Sequence, residues 1–205
     1  MNFLAHLYLS GDDPEIMVGN FIGDFVRGRN VNEQFKRNIA LGIELHRQID
    51  EFTDSHPVVL ESKKRLRPKY RHYAPVIVDV YYDHFLAIHW PTLHAQTLDD
   101  FAIHAYLQLE SHRDILPERV LQMMPYMIGG NWLVNYRKTE GIHRALTGMA
   151  RRTPYDSKME EAVHDLEKYY SEFDQEFSLF FPELKQMSES FISKKTKANS
   201  HKNQS

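Results

Sequence analysis

The stretch APVIVDVYYDHFLAIHWP, residues 74–91, decides between an all-helical chain and a mixed one. Its first half, PVIVDVYY, has the β-branched and aromatic content of a strand. The apolar character continues without a turn signal to Trp90, which is too long for a typical strand. Pro75 stands near the start, where a helix tolerates it, and Pro91 at the stop. The run reads as one buried, central helix, and no other segment alternates convincingly as a strand does.

The remaining segments carry helix signals. DDPEIMVGNFIGDFVRG offers Asp13 as N-cap, Pro14 at the first helical position and Gly28 after the last apolar residue. NEQFKRNIALGIELHRQIDEFTDSHP opens at Asn32 and stops before Pro57, PVVLESKKRLRP is bracketed by prolines, and TLDDFAIHAYLQLESHRDILP opens on a Thr97 cap. Helices are also expected over 118–128, 131–150 and 156–181. In the last, Val163, Leu166, Tyr169, Tyr170, Phe173, Phe177 and Phe180 recur at spacings of mostly three and four, the signature of an amphipathic helix. The expected fold is an all-α, single-domain bundle over residues 1–185, followed by a polar, basic tail, 186–205, expected to be disordered.

Composition narrows the chemistry. A chain of 205 residues with 42% hydrophobic and 26% charged residues is globular, and its net charge of −3 gives no general attraction to nucleic acid or anionic membrane. There are no cysteines, which excludes a disulfide scaffold, thiolate zinc sites and a cysteine nucleophile. Twelve histidines remain, so imidazole and carboxylate are the strong metal ligands available. The N-terminal stretch lacks the basic region and cleavage site of a signal peptide, and no run approaches the roughly 18 apolar residues of a membrane span; a cytoplasmic location is expected.

Several polar residues fall on apolar faces. At about 100° per residue, Phe35, Ile39, Gly42, His46 and Thr53 share one arc of their helix, with Ile49 and Asp50 on its borders. His46 and Asp50 thus interrupt a core stripe, and a buried carboxylate is costly unless paired or bound to a cation. On the central helix Asp79, Tyr82 and Asp83 form one stripe with His84 beside it. Two acids four apart would repel unless a cation or arginines such as Arg47 and Arg137 relieved them. Asp24 intrudes beside Met17, Phe21 and Phe25, and His6 sits inside an apolar run. Taken one at a time, these groups also fit structural ion pairs; together they fit a helical metal-dependent phosphohydrolase.

The stretches MNFLAHLYLS, GNFIGDFVRG, GIELHRQIDEFTD and DVYYDHFLAIHW, in this order, resemble the acyl carrier protein phosphodiesterases. The resemblance runs from Met1 to about Pro182 and leaves the tail outside. It implies an HD-like fold, as this family is regarded as an atypical relative of the HD phosphohydrolases; the adjacent pair Asp83-His84 reverses the usual His-Asp order. It also implies a manganese-dependent hydrolase, with magnesium or another divalent ion as substitutes, that removes 4'-phosphopantetheine from holo acyl carrier protein. The residues suggest a compatible assignment: Asp24, His46, Asp50 and Asp83 as metal ligands, and Asp79 or His84 orienting water or accepting its proton. His6 would protonate the departing serine oxygen, and Arg47 neutralise phosphate charge.

Lys63, Lys64, Arg65, Arg67, Lys69 and Arg71 concentrate in SKKRLRPKYRH, residues 62–72. This reads either as a solvated helix face or as a docking patch for an acidic carrier protein; no nucleic-acid motif accompanies it. Two alternatives remain from the sequence: an HD-like phosphohydrolase acting on a nucleotide or other small phosphoester, and a non-catalytic helical adaptor for an acidic protein.

Overall fold

The structure, a computed structural model, describes residues 1–202, with side chains to Lys197. Helices α1 (Phe3–Tyr8) and α2 (Pro14–Ile22) open the chain, and a 3-10 turn, Gly23–Phe25, ends α2. They are followed by α3 (Val31–Gln34), α4 (Arg37–Ser55), α5 (Pro57–Tyr70), α6 (Ala74–Leu93) and α7 (Leu98–Ser111). The second half contains α8 (Glu118–Gly129), α9 (Trp132–Asn135), α10 (Thr139–Arg151), α11 (Ala162–Lys168) and α12 (Tyr170–Lys202). Among the described residues there is no strand, and no helix is long and apolar enough to cross a membrane.

Helix α6 is central. Ile77, Val78, Tyr81, Phe85, Leu86 and Trp90 on it are buried, and α1, α5, α7, α10 and α12 all pack around it. Residues 80–87 are buried all round, which is why this segment shows neither helical nor strand alternation. Helix α2 lies against α4 through glycines. A Cβ on Gly19 would come within 2.1 Å of the Ile39 carbonyl oxygen, and one on Gly42 within 2.2 Å of that of Ile16. Backbone therefore meets backbone at the crossing, and this close approach draws α2's polar residues up to α4.

Several helix limits differ from those expected. Asp13 caps α2 as expected, accepting from the amides of Glu15 and Ile16, and Thr97 caps α7. The segment expected to be one helix from Asn32 is broken where Phe35 and Lys36 adopt extended backbone. The segments 131–150 and 156–181 are likewise divided, at 136–138 and at Tyr169. Helices α5 and α6 run past Pro68 and Pro91, each in the last turn, where a missing N–H forfeits one hydrogen bond and packing holds the rest.

Helix α12 passes Pro182 and reaches Lys202, across most of the segment expected to be disordered. Its packing explains this. Ser188 is buried, Phe191 and Ile192 lie partly buried against the core, and the Lys195 ammonium meets Glu44 at 2.7 Å. The remainder of the expected tail, 203–205, lies outside the described residues.

Candidate metal centre

The site is assembled by short-range steric and hydrogen-bonding rules. Gly23, at the end of α2, has no side chain because the His46 ring lies against its backbone; a Cβ there would fall 2.2 Å from Cγ of that ring. The His46 and His6 rings stack with centroids 3.9 Å apart, and Asn20 orients both. Its Nδ2 donates to the His6 carbonyl at 2.7 Å and to Ser10 Oγ at 3.0 Å, which leaves Oδ1 as an acceptor for His6 Nδ1–H at 2.9 Å. The Asn20 backbone carbonyl accepts from His46 Nδ1–H at 2.7 Å.

Both imidazoles therefore present an Nε2 lone pair to the same place. His46 Nε2 stands 3.1 Å from Asp50 Oδ2 and 3.2 Å from Asp24 Oδ1; His6 Nε2 stands 3.3 Å from Asp50 Oδ1 and 3.2 Å from the Met1 carbonyl. These partners are all acceptors, and the buried His46 Nε2 has no hydrogen-bond partner of good geometry. Acceptors facing acceptors require a cation between them, a proton or a metal ion. Ligand atoms of His6, His46 and Asp50 lie within 4.8 Å of one another, and each ring nitrogen not aimed at the cluster is already held, the usual support of metal-bound histidine. The donor set fits a divalent metal.

The electrostatics agree. Burial alone would lower the His46 pKa, but the Asp24 and Asp50 carboxylates outweigh it and raise it to about 9. Burial would raise that of Asp50, but contacts with His46 and His6 hold it well below the usual carboxylate range. The contact with His46 also keeps the Asp24 pKa low. For His6, burial first and the neighbouring His46 charge second push the pKa down. In the metal-free protein one proton is thus held at His46.

Asp24, His46 and Asp50 come together, but Asp24 is not in a helix interior. It sits in the 3-10 turn with its side chain 71% exposed, at the open edge of the cluster. His6 faces Asp50 directly. Asp79 lies on the far side of the Met1 α-amino group, which is 3.0 Å from Asp79 and 3.8 Å from Asp50.

Asp83 and His84 are turned elsewhere. The buried Asp83 carboxylate accepts from the amides of Leu4 at 2.8 Å and Ala5 at 3.2 Å, so it caps the start of α1, and burial raises its pKa to about 7. His84 gives one ring nitrogen to the Tyr136 carbonyl at 2.7 Å and the other to the Tyr170 hydroxyl at 2.9 Å, away from the cluster. Arg47 donates to the carbonyls of Val26 and Gly28, fastening the turn after Asp24. Asn20 was missed by the sequence reading; its signal was a polar residue on an apolar helix, in the frame GNFIGD.

The basic patch is largely committed within the protein. Lys63 is buried and meets Asp54 at 2.6 Å; Arg65 pairs with Glu176, and Lys69 with Asp165 and Glu161. Lys64, Arg67 and Arg71 are exposed.

An all-helical chain that gathers two buried imidazoles and two partly exposed carboxylates around one point has the donor set of a helical metallohydrolase. The model of the acyl carrier protein phosphodiesterase family matches residues 1–184. Proteins called acyl carrier protein phosphodiesterase from Photorhabdus laumondii, an Enterobacter species and Yersinia enterocolitica are each 36% identical to the chain. The first covers 92% of this chain and 96% of its own length; the other two cover 90% and 95%. The chain belongs to the acyl carrier protein phosphodiesterase family. No solved structure matches it.

Proposed function

We propose that the protein is a cytoplasmic, metal-dependent phosphodiesterase. It hydrolyses the bond between the 4'-phosphopantetheine arm and the serine of holo acyl carrier protein. The single observation that carries the chemistry is the convergence of the His6 and His46 Nε2 atoms on Asp50 while each ring's Nδ1 is held by Asn20. The substrate comes from family membership.

His6, His46 and Asp50 would hold the ion, proposed as manganese, with Asp24 completing the set from the open edge. When bound, it would supply positive charge to the phosphodiester oxygens and acidity to water. The chain's own groups do the rest. Asn20 keeps both imidazoles in the tautomer that aims Nε2 inward. Asp83 fixes the start of α1, and with it His6. Asp24 turns only its Oδ1 to the cluster; its other, exposed oxygen accepts the proton of the attacking water and returns it to the serine oxygen as the P–O bond to serine breaks. His84 stands outside this scheme because both its nitrogens are occupied.

The test is conversion of holo to apo carrier by purified protein, followed by gel shift with and without manganese. Elemental analysis of the same sample and a nucleotide diester as second substrate complete it. Manganese-dependent conversion abolished by a chelator is expected; no conversion with manganese present sinks the reading.

A further inference from the structure

A groove of about 700 Å³ opens among α8, α9 and α10, with Met123, Trp132 and Met149 in its walls. Phe3 and Phe25 also line it. Phe3 is one turn before His6 on α1, and Phe25 follows Asp24, a Cα separation of about 3.8 Å. Near chain neighbours of two cluster residues, His6 and Asp24, thus form part of the groove's wall.

The lining suits one kind of substituent. Flexible methionines and aromatic faces accommodate a thin apolar chain, and this volume falls in the usual range of about 300–1,000 Å³ for small-molecule sites. Three polar groups are left over. Among the described residues, Trp132 Nε1–H donates to no protein atom. Asn135 uses only its Nδ2, on the Gly130 carbonyl, and Gln122 only its Nε2, on Glu118. One donor and two side-chain carbonyl acceptors thus remain for the amides of a linear chain.

The rim is cationic. Arg119, Arg144 and Arg152 line the groove, all are exposed, and none pairs with an acid among the described residues. Arg65, Lys63 and Lys69 of α5 are all paired. In a chain of net charge −3, unpaired arginines gathered at one apolar groove complement an acidic protein surface.

We infer that this groove receives the pantetheine arm of the carrier, with the arginine rim against the carrier's acidic surface. The inference deepens, and rests on, the function proposed above. The dimethyl head of the arm lies nearest Phe3 and Phe25, its two amides meet Trp132, Asn135 and Gln122, and its sulfur end points along the methionines.

Gly148 provides the test. It lines the groove, and a Cβ there meets nothing within 4 Å. A side chain at 148 therefore starts in open space at the groove's wall, Gly148→Trp adds an indole's bulk there, and loss of a helix glycine favours α10. Gly129, with equally open space but outside the lining, is the control.

With full-length, manganese-loaded protein, Gly148→Trp lowers kcat/KM for holo carrier tenfold or more, mainly through KM, and manganese content and Tm stay at the control's values. Pantetheine added to methyl-labelled wild type shifts the Met123 and Met149 resonances, and Gly148→Trp abolishes those shifts. If Gly148→Trp turns over holo carrier like Gly129→Trp, or pantetheine leaves both methyls unmoved, the groove does not hold the arm. If wild type fails to convert holo carrier yet pantetheine shifts those methyls and Gly148→Trp abolishes the shifts, the groove assignment stands and the catalytic reading falls.

Discussion

Glu176, between α5 and α12, and Asp50, in the His/Asp cluster, are both acids set among buried side chains. Glu176 accepts two hydrogen bonds of 2.7 Å from the Arg65 guanidinium and another from Ser62, whose oxygen also lies 2.8 Å from the Tyr82 hydroxyl. The Arg65 guanidinium in turn lies over the Phe173 ring at 4.9 Å. Here a donor meets each carboxylate oxygen. Around Asp50 stand two imidazole nitrogens at 3.1 and 3.3 Å and, at 3.8 Å, the Met1 amino group already held 3.0 Å from Asp79, with a second carboxylate 3.2 Å from His46. The first arrangement is complete within the protein. The second is complete only with a cation, and that difference separates a structural ion pair from a site.

Removing each acid gives the sharpest break of this contrast. Asp50→Ala takes away the carboxylate shared by both histidines, so manganese content falls below one ion per chain. Turnover drops on the order of a thousandfold, as expected when several kcal/mol of transition-state charge stabilisation is lost at about 1.4 kcal/mol per tenfold. His46, His6 and the Met1 amino group each lose a carboxylate neighbour, so Tm falls modestly while the apolar core keeps the fold; elemental analysis, the gel-shift assay and a thermal melt check the three claims. Retained metal and turnover would show the cluster to be a structural pair like its counterpart.

Glu176→Ala should do the reverse. It strands Arg65 and removes a partner from Ser62. Allowing for an Arg65 side chain still 23% exposed, the cost is about 1–3 kcal/mol of stability. Manganese content and kcat on holo carrier stay at wild-type values. A loss of kcat without loss of Tm would break the distinction between the two regions.

How much of this was legible beforehand follows the same line. The all-α class was readable because α6, although apolar all round, is too long for a strand. Helix ends were misread where packing overrides a proline, at Pro91 and Pro182, or where two extended residues interrupt a continuous pattern, at Phe35 and Lys36. His46 and Asp50 were legible because both stand on the apolar side of one helix. Asp83 and His84 satisfied the same test, but their partners are the amides of α1, the Tyr136 carbonyl and the Tyr170 hydroxyl, and no periodicity on α6 reveals those. The pairing of Arg65 and Lys69 within the patch at 62–72 was hidden for a related reason. Their partners Glu176, Asp165 and Glu161 are distant in sequence, so pairing was invisible and the cations looked free.

The smallest effect lies in pH. The His46 pKa is raised to about 9 in the folded, metal-free protein against about 6.5 when unfolded, so its contribution is fully present below pH 6.5 and lost as pH rises through 9. Asp83, raised to about 7 from an ordinary 3.8, acts in the same sense at lower pH. Asp24, Asp50 and His6, all lowered, lose their contributions only as pH falls. The Met1 amino group, raised by Asp79 and Asp50 against its burial, adds to the alkaline loss. The network around Glu176 is silent here, since burial drives Tyr82 upward and Glu176 raises Arg65 further. Metal-free protein should therefore lose roughly 1–2 kcal/mol between pH 6.5 and 9.5, discounted because the Asp24 and Asp50 carboxylates are partly exposed. Manganese must displace the His46 proton, so the Tm gain from saturating manganese should grow over the same interval. Thermal melts across this range, with and without the metal, measure both slopes. A manganese-induced gain that stays flat with pH would mean that His46 is not a ligand, and the cluster would then differ from the Glu176 network only in being less completely paired.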